Sequence, residues 1–203
     1  MRKTVVFDLG GVLIDHDPRY LYRKLLPTED AVADFLTTVC DHAWNELQDA
    51  GRSLADATAE RIALFPEKRD LIEAYYARWD EMLNGAIDGT VDIFRDLRAA
   101  GKPVYGLSNF SAETYVWAGR HYEFLDWFEG IVVSGQDGLI KPDPDIYRLL
   151  LARYGLQAED LVFVDDREAN IRAAHDLGIH GIQFTSPEKL RMELAALGIL
   201  QAG

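Results

Sequence analysis

Three short apolar runs each end on side chains that could do chemistry. Residues 4–7 stop at Asp8, residues 104–107 at Ser108 and Asn109, and residues 161–164 at Asp165 and Asp166. Lys141 lies in a loop between the second and third of these runs. Together they offer three carboxylates, a hydroxyl and an ammonium. Crowded carboxylates repel one another unless a cation stands among them. All-oxygen donors suit a hard divalent ion, Mg²⁺, better than zinc, which favours His or Cys. With Mg²⁺, Lys⁺ and a hydroxyl donor around it, one carboxylate becomes a nucleophile inside a phosphate receptor.

Such a receptor needs elements that bring distant residues to one place. The first run is β-branched and too short for a membrane span, so it reads as a buried strand. Gly10 and Gly11 follow Asp8, and adjacent glycines allow backbone turns closed to other residues. Beyond residue 89 strands and helices alternate: strands at 104–107, 131–133, 161–164 and weakly at 181–184, with helices between them. That alternation predicts an α/β fold, a Rossmann-like parallel sheet with helices on both faces. In such sheets ligands bind outside the carboxyl ends of the strands, where these residues would converge. Residues 18–86 interrupt the pattern. They read as helices over 20–26, 29–47, 53–65 and 67–83, with no strand between 19 and 86. The expected organisation is a core of residues 1–17 and 87–203 carrying an inserted helical cap, 18–86.

Charge narrows the partners. The chain carries a formal net charge of −13 in 203 residues, a surface that repels nucleic-acid backbones and anionic membranes. An anionic substrate would need a local cation such as Lys141. Cys40 is the only cysteine, so no internal disulfide forms, which fits a reducing compartment. No stretch is long and apolar enough to span a bilayer. The expectation is a cytoplasmic protein, monomer or homodimer, acting on a small phosphorylated metabolite.

Plainer roles compete for several residues. Asp17, before Pro18, suits a helix N-cap better than chemistry. Asn170 is balanced between orienting the aspartate loop and decorating a helix surface. Trp44, Trp79, Tyr75 and Tyr76 read as packing within the cap. Arg52 and His42 are cap candidates for holding a sugar hydroxyl.

The strings FDLGGVLID, LSN, LIKPDPDIY and FVDDREANI resemble, in order and spacing, the four motifs of the haloacid dehalogenase superfamily. Within it the chain resembles the phosphatase branch with a small helical cap, and the bacterial α-D-glucose-1-phosphatase group in particular. The resemblance implies that Asp8 is the nucleophile and forms an aspartyl-phosphate. Ser108 and the backbone N–H of Asn109 would bind phosphate oxygens, and Lys141 would neutralise the phosphate and Asp8. Mg²⁺ would be held by Asp8, the Gly10 carbonyl and Asp166, with Asp165 acting directly or through water.

One position departs from the family pattern. Most phosphatases of this superfamily carry a second Asp two residues after the nucleophile, as general acid and base. Here that position is Gly10. Losing general acid catalysis costs about 10²–10⁴-fold, which matters less when the leaving group is stable as an anion. An anomeric sugar phosphate, an acyl phosphate or an aryl phosphate is therefore expected as substrate, unless Asp15, His16 or a cap residue supplies the proton. Two other readings stay open: a 2-haloacid dehalogenase, which needs no metal and lacks the acidic pair, and a non-catalytic domain that binds a phosphorylated metabolite.

Overall fold

Four strands pair in parallel register around β1 (Thr4–Phe7) in a computed structural model that describes residues 4–201. They are β4 (Val104–Ser108), β5 (Gly130–Val133), β6 (Leu161–Asp165) and β7 (His180–Gln183), and the order across the sheet is β5-β4-β1-β6-β7. β1 is central and wholly buried, which is why its four residues are all apolar or β-branched.

The sheet is covered on both faces by helices whose apolar stripes the strand alternation demands. Val5 and Phe7 point to one side, where they share a core with Phe94 of α6 (Asp88–Ala99) and Leu190 of α11 (Pro187–Ala196). Val6 points to the other, towards Tyr147 and Leu150 of α9 (Pro144–Tyr154) and Ile171 of α10 (Glu168–Asp176). The helix starts follow the expected chemistry. Ser111 caps α7 (Ala112–His121), Asp143 caps α9 ahead of Pro144, and Ser186 caps α11 ahead of Pro187. The α/β class and the parallel sheet hold as the alternation predicts.

Residues 18–86 are mostly helical, but they include a strand. Leu83–Ala86 forms a strand, β3, antiparallel to β2 (Ile14–His16), with Ile14 opposite Ala86 and Asp15 opposite Gly85. Asn84 and Gly85 are poor strand formers on propensity alone, so the pairing comes from the partner strand rather than from local preference. The chain thus leaves and returns through a two-stranded ribbon.

Between the two strands lie α1 (Arg19–Leu25), α2 (Glu29–Asp34), α3 (His42–Asp49), α4 (Leu54–Leu64) and α5 (Arg69–Ala77). The single helix expected over 29–47 is broken. Residues Phe35–Val39 widen into a π-turn, and α3 restarts at Asp41, which accepts the Trp44 N–H at 2.7 Å. Thr37 and Thr38 bond back to the carbonyls of Ala33 and Asp34 and loosen the α ladder there. The helix expected over 67–83 also divides, into α5 and 3₁₀ turns at Pro66–Lys68 and Trp79–Met82. Trp44, Tyr75 and Tyr22 are buried between these helices. The Asp17 carboxylate accepts the Arg19 N–H at 2.9 Å at the entry to the block, but α1 starts at Arg19 with Pro18, not Asp17, in the N-cap position.

Candidate active site

The strand register decides which residues meet. Phe7 pairs with Gly106 on one side and Val164 on the other. The residues that follow, Asp8, Ser108 and Asp165, therefore emerge together at one edge of the sheet. Ser108 donates its hydroxyl to Asp8 Oδ1 at 2.7 Å, and the Leu9 N–H donates to the same oxygen at 2.7 Å. Lys141 Nζ lies 2.9 Å from Asp8 Oδ2 and 2.7 Å from Asp165 Oδ2. Lys141 is 1% exposed, so this ammonium is held between two carboxylates rather than solvated. Burial alone would lower its pKa, but Asp8 and Asp165 outweigh that and hold it above the ordinary lysine value.

Asp165 is the best-held anion of the group. Besides Lys141, it accepts the Arg167 N–H at 2.8 Å and Asn170 Nδ2 at 3.0 Å on each oxygen. Burial opposes its ionisation, yet Lys141 and these donors win and keep its carboxyl below the usual range. Asn170 is 1% exposed, so it does not decorate the helix surface; its amide faces Asp165. Asp8 differs: burial pushes it up to about 7, against the pull of Lys141 and with Asp165 adding repulsion.

Asn109 has a use that its position in the sequence did not disclose. Its side chain clamps the backbone of Lys141, donating Nδ2 to the Lys141 carbonyl at 2.9 Å and accepting the Lys141 N–H at 2.8 Å. The loop after β4 thereby fixes the loop that delivers the lysine. Ser134 adds a second brace, accepting the Phe110 N–H at 2.9 Å.

The acidic set can take a cation. Asp8, Asp165 and Asp166 have carboxylate oxygens within 4.8 Å of one another. Three carboxylates face one ammonium, so the cluster is short of positive charge. Asp166 shows it: burial and then the charge of Asp165 raise its carboxyl above the ordinary value. Gly11 is there for room as well as for its φ of +73°, because a Cβ on it would stand 2.7 Å from Asp166 Oδ2. Gly10 lines the same space. The donors of the cluster are carboxylates, which fit Mg²⁺.

Over this edge opens a cavity of about 420 Å³, lined by Asp8, Lys141 and Asp166 on the sheet side. The helical block lines it from the other side, with Tyr75, Tyr76 and Trp79 among its residues. These aromatics therefore both pack and line the cavity. His42 reaches it too, whereas Arg52 pairs with Glu60 at 2.8 Å and does not. Asp49 also lines the cavity, and nothing in its sequence neighbourhood marked it out. The signal that could have found it is a carboxylate in the last turn of a helix next to Gly51.

A model of haloacid dehalogenase-like hydrolases matches residues 2–178. The chain belongs to this family of hydrolases. Among characterised relatives, a sesquiterpene phosphatase of Aspergillus oryzae is 27% identical over 196 residues, covering 96% of each chain. A D-ribitol-5-phosphate phosphatase of Bacteroides thetaiotaomicron is 25% identical over 205 residues, covering 97% of this chain and 98% of that one. Mouse acyl-CoA dehydrogenase family member 10 is 43% identical over 213 residues, but the chain spans only 19% of its length. A solved haloacid dehalogenase-family enzyme from Bacteroides thetaiotaomicron, complexed with magnesium and inorganic phosphate, shares the fold. Its TM-score is 0.72 at 22% identity, over 92% of this chain and 95% of that one. Among the described residues no helix is long and apolar enough to cross a membrane.

Proposed function

We propose that this hydrolase is a Mg²⁺-dependent phosphatase of a small phosphorylated metabolite, working through an aspartyl-phosphate on Asp8. One observation carries the reading. A buried carboxylate at the sheet edge has a hydroxyl on one oxygen at 2.7 Å and an ammonium on the other at 2.9 Å, and it opens onto a cavity.

The residues divide the work. Asp8 attacks phosphorus. Ser108 and the Asn109 N–H bind phosphate oxygens. Lys141 offsets charge on Asp8 and on the incoming phosphate, and Asn109 and Asp165 hold it in place. Asp8, the Gly10 carbonyl and Asp166 would hold Mg²⁺, with Asp165 behind them through water or as a direct ligand. When bound, Mg²⁺ supplies the charge that lets an anionic nucleophile approach an anionic phosphate. Residues 18–86 serve as the cap that closes the cavity and sets specificity, over a core of residues 1–17 and 87–203. The substrate class we favour is a sugar 1-phosphate, as in the bacterial α-D-glucose-1-phosphatase group. The unbalanced acidic cluster argues against a metal-free dehalogenase.

A screen of phosphorylated metabolites with and without Mg²⁺ tests this. Turnover should need Mg²⁺, vanish with EDTA, return on adding the ion back, and be lost in Asp8→Asn. Activity that survives either treatment refutes the proposal.

A further inference from the structure

The position two residues after the nucleophile is empty. A Cβ on Gly10 would meet nothing within 4 Å, so no neighbour fills the space that an acidic side chain would occupy there. The reaction still needs a proton for a leaving oxygen that is basic. Asp15, next along the loop, is turned elsewhere: its carboxylate accepts the Tyr20 hydroxyl at 3.1 Å and Asn84 Nδ2 at 2.9 Å, and it does not line the cavity.

The cavity wall offers other groups. Cys40 is driven up to about 12 by burial, and Tyr75 and Tyr76 are driven well above the ordinary phenol value by the same cause. They hold their protons too tightly to give and retake them at neutral pH. His16 packs against Trp79 at 5.9 Å between ring centres, and its Nε2 is buried without a partner. Burial lowers its pKa against the pull of Asp17 and Asp15, so at neutral pH it has lost the proton a donor needs.

Asp49 remains. It closes α3, is half-buried, and lines the cavity together with Asp8. Asn45 Nδ2 donates to its Oδ2 at 3.0 Å, and the Ser111 backbone N–H lies against the same carboxyl. Ser111 belongs to the segment that carries Ser108 and lines the same cavity, so Asp49 faces that segment from the helical side. A leaving group departs in line, away from Asp8 and the sheet, into that side.

We infer that Asp49 is the general acid and base of this hydrolase, taking the part that Gly10 cannot. The inference rests on the phosphatase reading and extends its substrates to phosphates of ordinary alcohols. In the first step an Asp8 oxygen bonds to phosphorus, the P–O bond to the alcohol breaks, and the Asp49 proton goes to the departing oxygen. In the second, Asp49 takes a proton from water as that water bonds to phosphorus. The bond between phosphorus and the Asp8 oxygen breaks, releasing inorganic phosphate, and Asp49 is protonated again. The surroundings suit both tasks: burial first, then Glu46, push Asp49 up to about 7, while the Ser111 N–H, Arg167 and Lys141 pull the other way. Tyr75 and Tyr76, which feel its charge, stay neutral.

The test compares glycerol phosphate with p-nitrophenyl phosphate, in wild type, Asp49→Asn and Asp49→Glu, with Mg²⁺ present. Asp49→Asn should lose about 10²-fold or more on glycerol phosphate. Its first turnover of the aryl ester should fall far less, giving a burst of nitrophenolate followed by slow turnover. Asp49→Glu should recover part of the alkyl activity. Wild type alone gives a second reading: single-turnover rates on the alkyl ester should fall above pH 7 relative to those on the aryl ester. An equal loss on both esters in Asp49→Asn, or a ratio unchanged with pH, overturns the assignment. If wild type turns over neither ester, the inference fails alone; if it also turns over no phosphate ester in the Mg²⁺ screen, the phosphatase reading fails with it.

Discussion

Replacing Lys141 with Met would leave two buried carboxylates facing each other without their cation. Asp165 is 0% exposed, so water cannot stand in beside it, and Asp8, 7% exposed, meets water only from the cavity. The variant removes two charge-assisted bonds, at 2.9 and 2.7 Å, each of the kind that contributes about 1.5–3 kcal/mol. Asp165 keeps Asn170 and the Arg167 N–H, and Asp8 keeps Ser108 and the Leu9 N–H, so neither is stripped bare. The expected loss is about 3–5 kcal/mol, the usual cost of breaking a buried pair from one side. It should depend on pH. Without Lys141 the Asp8 carboxyl rises further above its unfolded value near 4, and Asp165 loses the cation that holds its carboxyl below that range. The folded state then binds protons that the unfolded chain has released, so stability falls as pH rises above about 4. Urea unfolding at pH 5 and pH 8 measures this, with a larger deficit at pH 8. Mg²⁺ should stabilise the variant more than the parent. Equal unfolding free energies at pH 8 would refute the buried triad.

Two further substitutions probe the supports of the site. Asn109→Ala removes both bonds that hold the Lys141 backbone, so kcat/KM on the best phosphate ester should fall about 10²-fold through misplacement of the lysine. Its melting temperature, measured alongside, should change little. Gly11→Ala forces a side chain into a φ of +73° and against Asp166, costing about 1–3 kcal/mol in thermal or urea unfolding. The Mg²⁺ concentration for half-maximal activity should rise about 10–100-fold.

What could be read from the chain itself follows from local physics. The apolar runs ending at Asp8, Ser108 and Asp165 read as strands because they are short, carry β-branched and aromatic residues, and stop at polar turn residues. Once they are parallel strands, their ends share an edge. Side-chain capping, as at Ser111, Asp143 and Ser186, acts over two or three residues and so belongs to the same local physics. Four motif strings together carried the family.

Other features exist only because distant segments touch. β3 is a strand because β2 offers it a ladder, not because Asn84 and Gly85 prefer one. Asn109 clamps Lys141 across 32 residues of chain, and no local pattern encodes that. The raised proton affinity of Asp49 comes from burial beneath packed helices and from Glu46 one turn away. Desolvation depends on what surrounds a group in three dimensions, so a one-dimensional string can name the carboxylates of this site but not rank them.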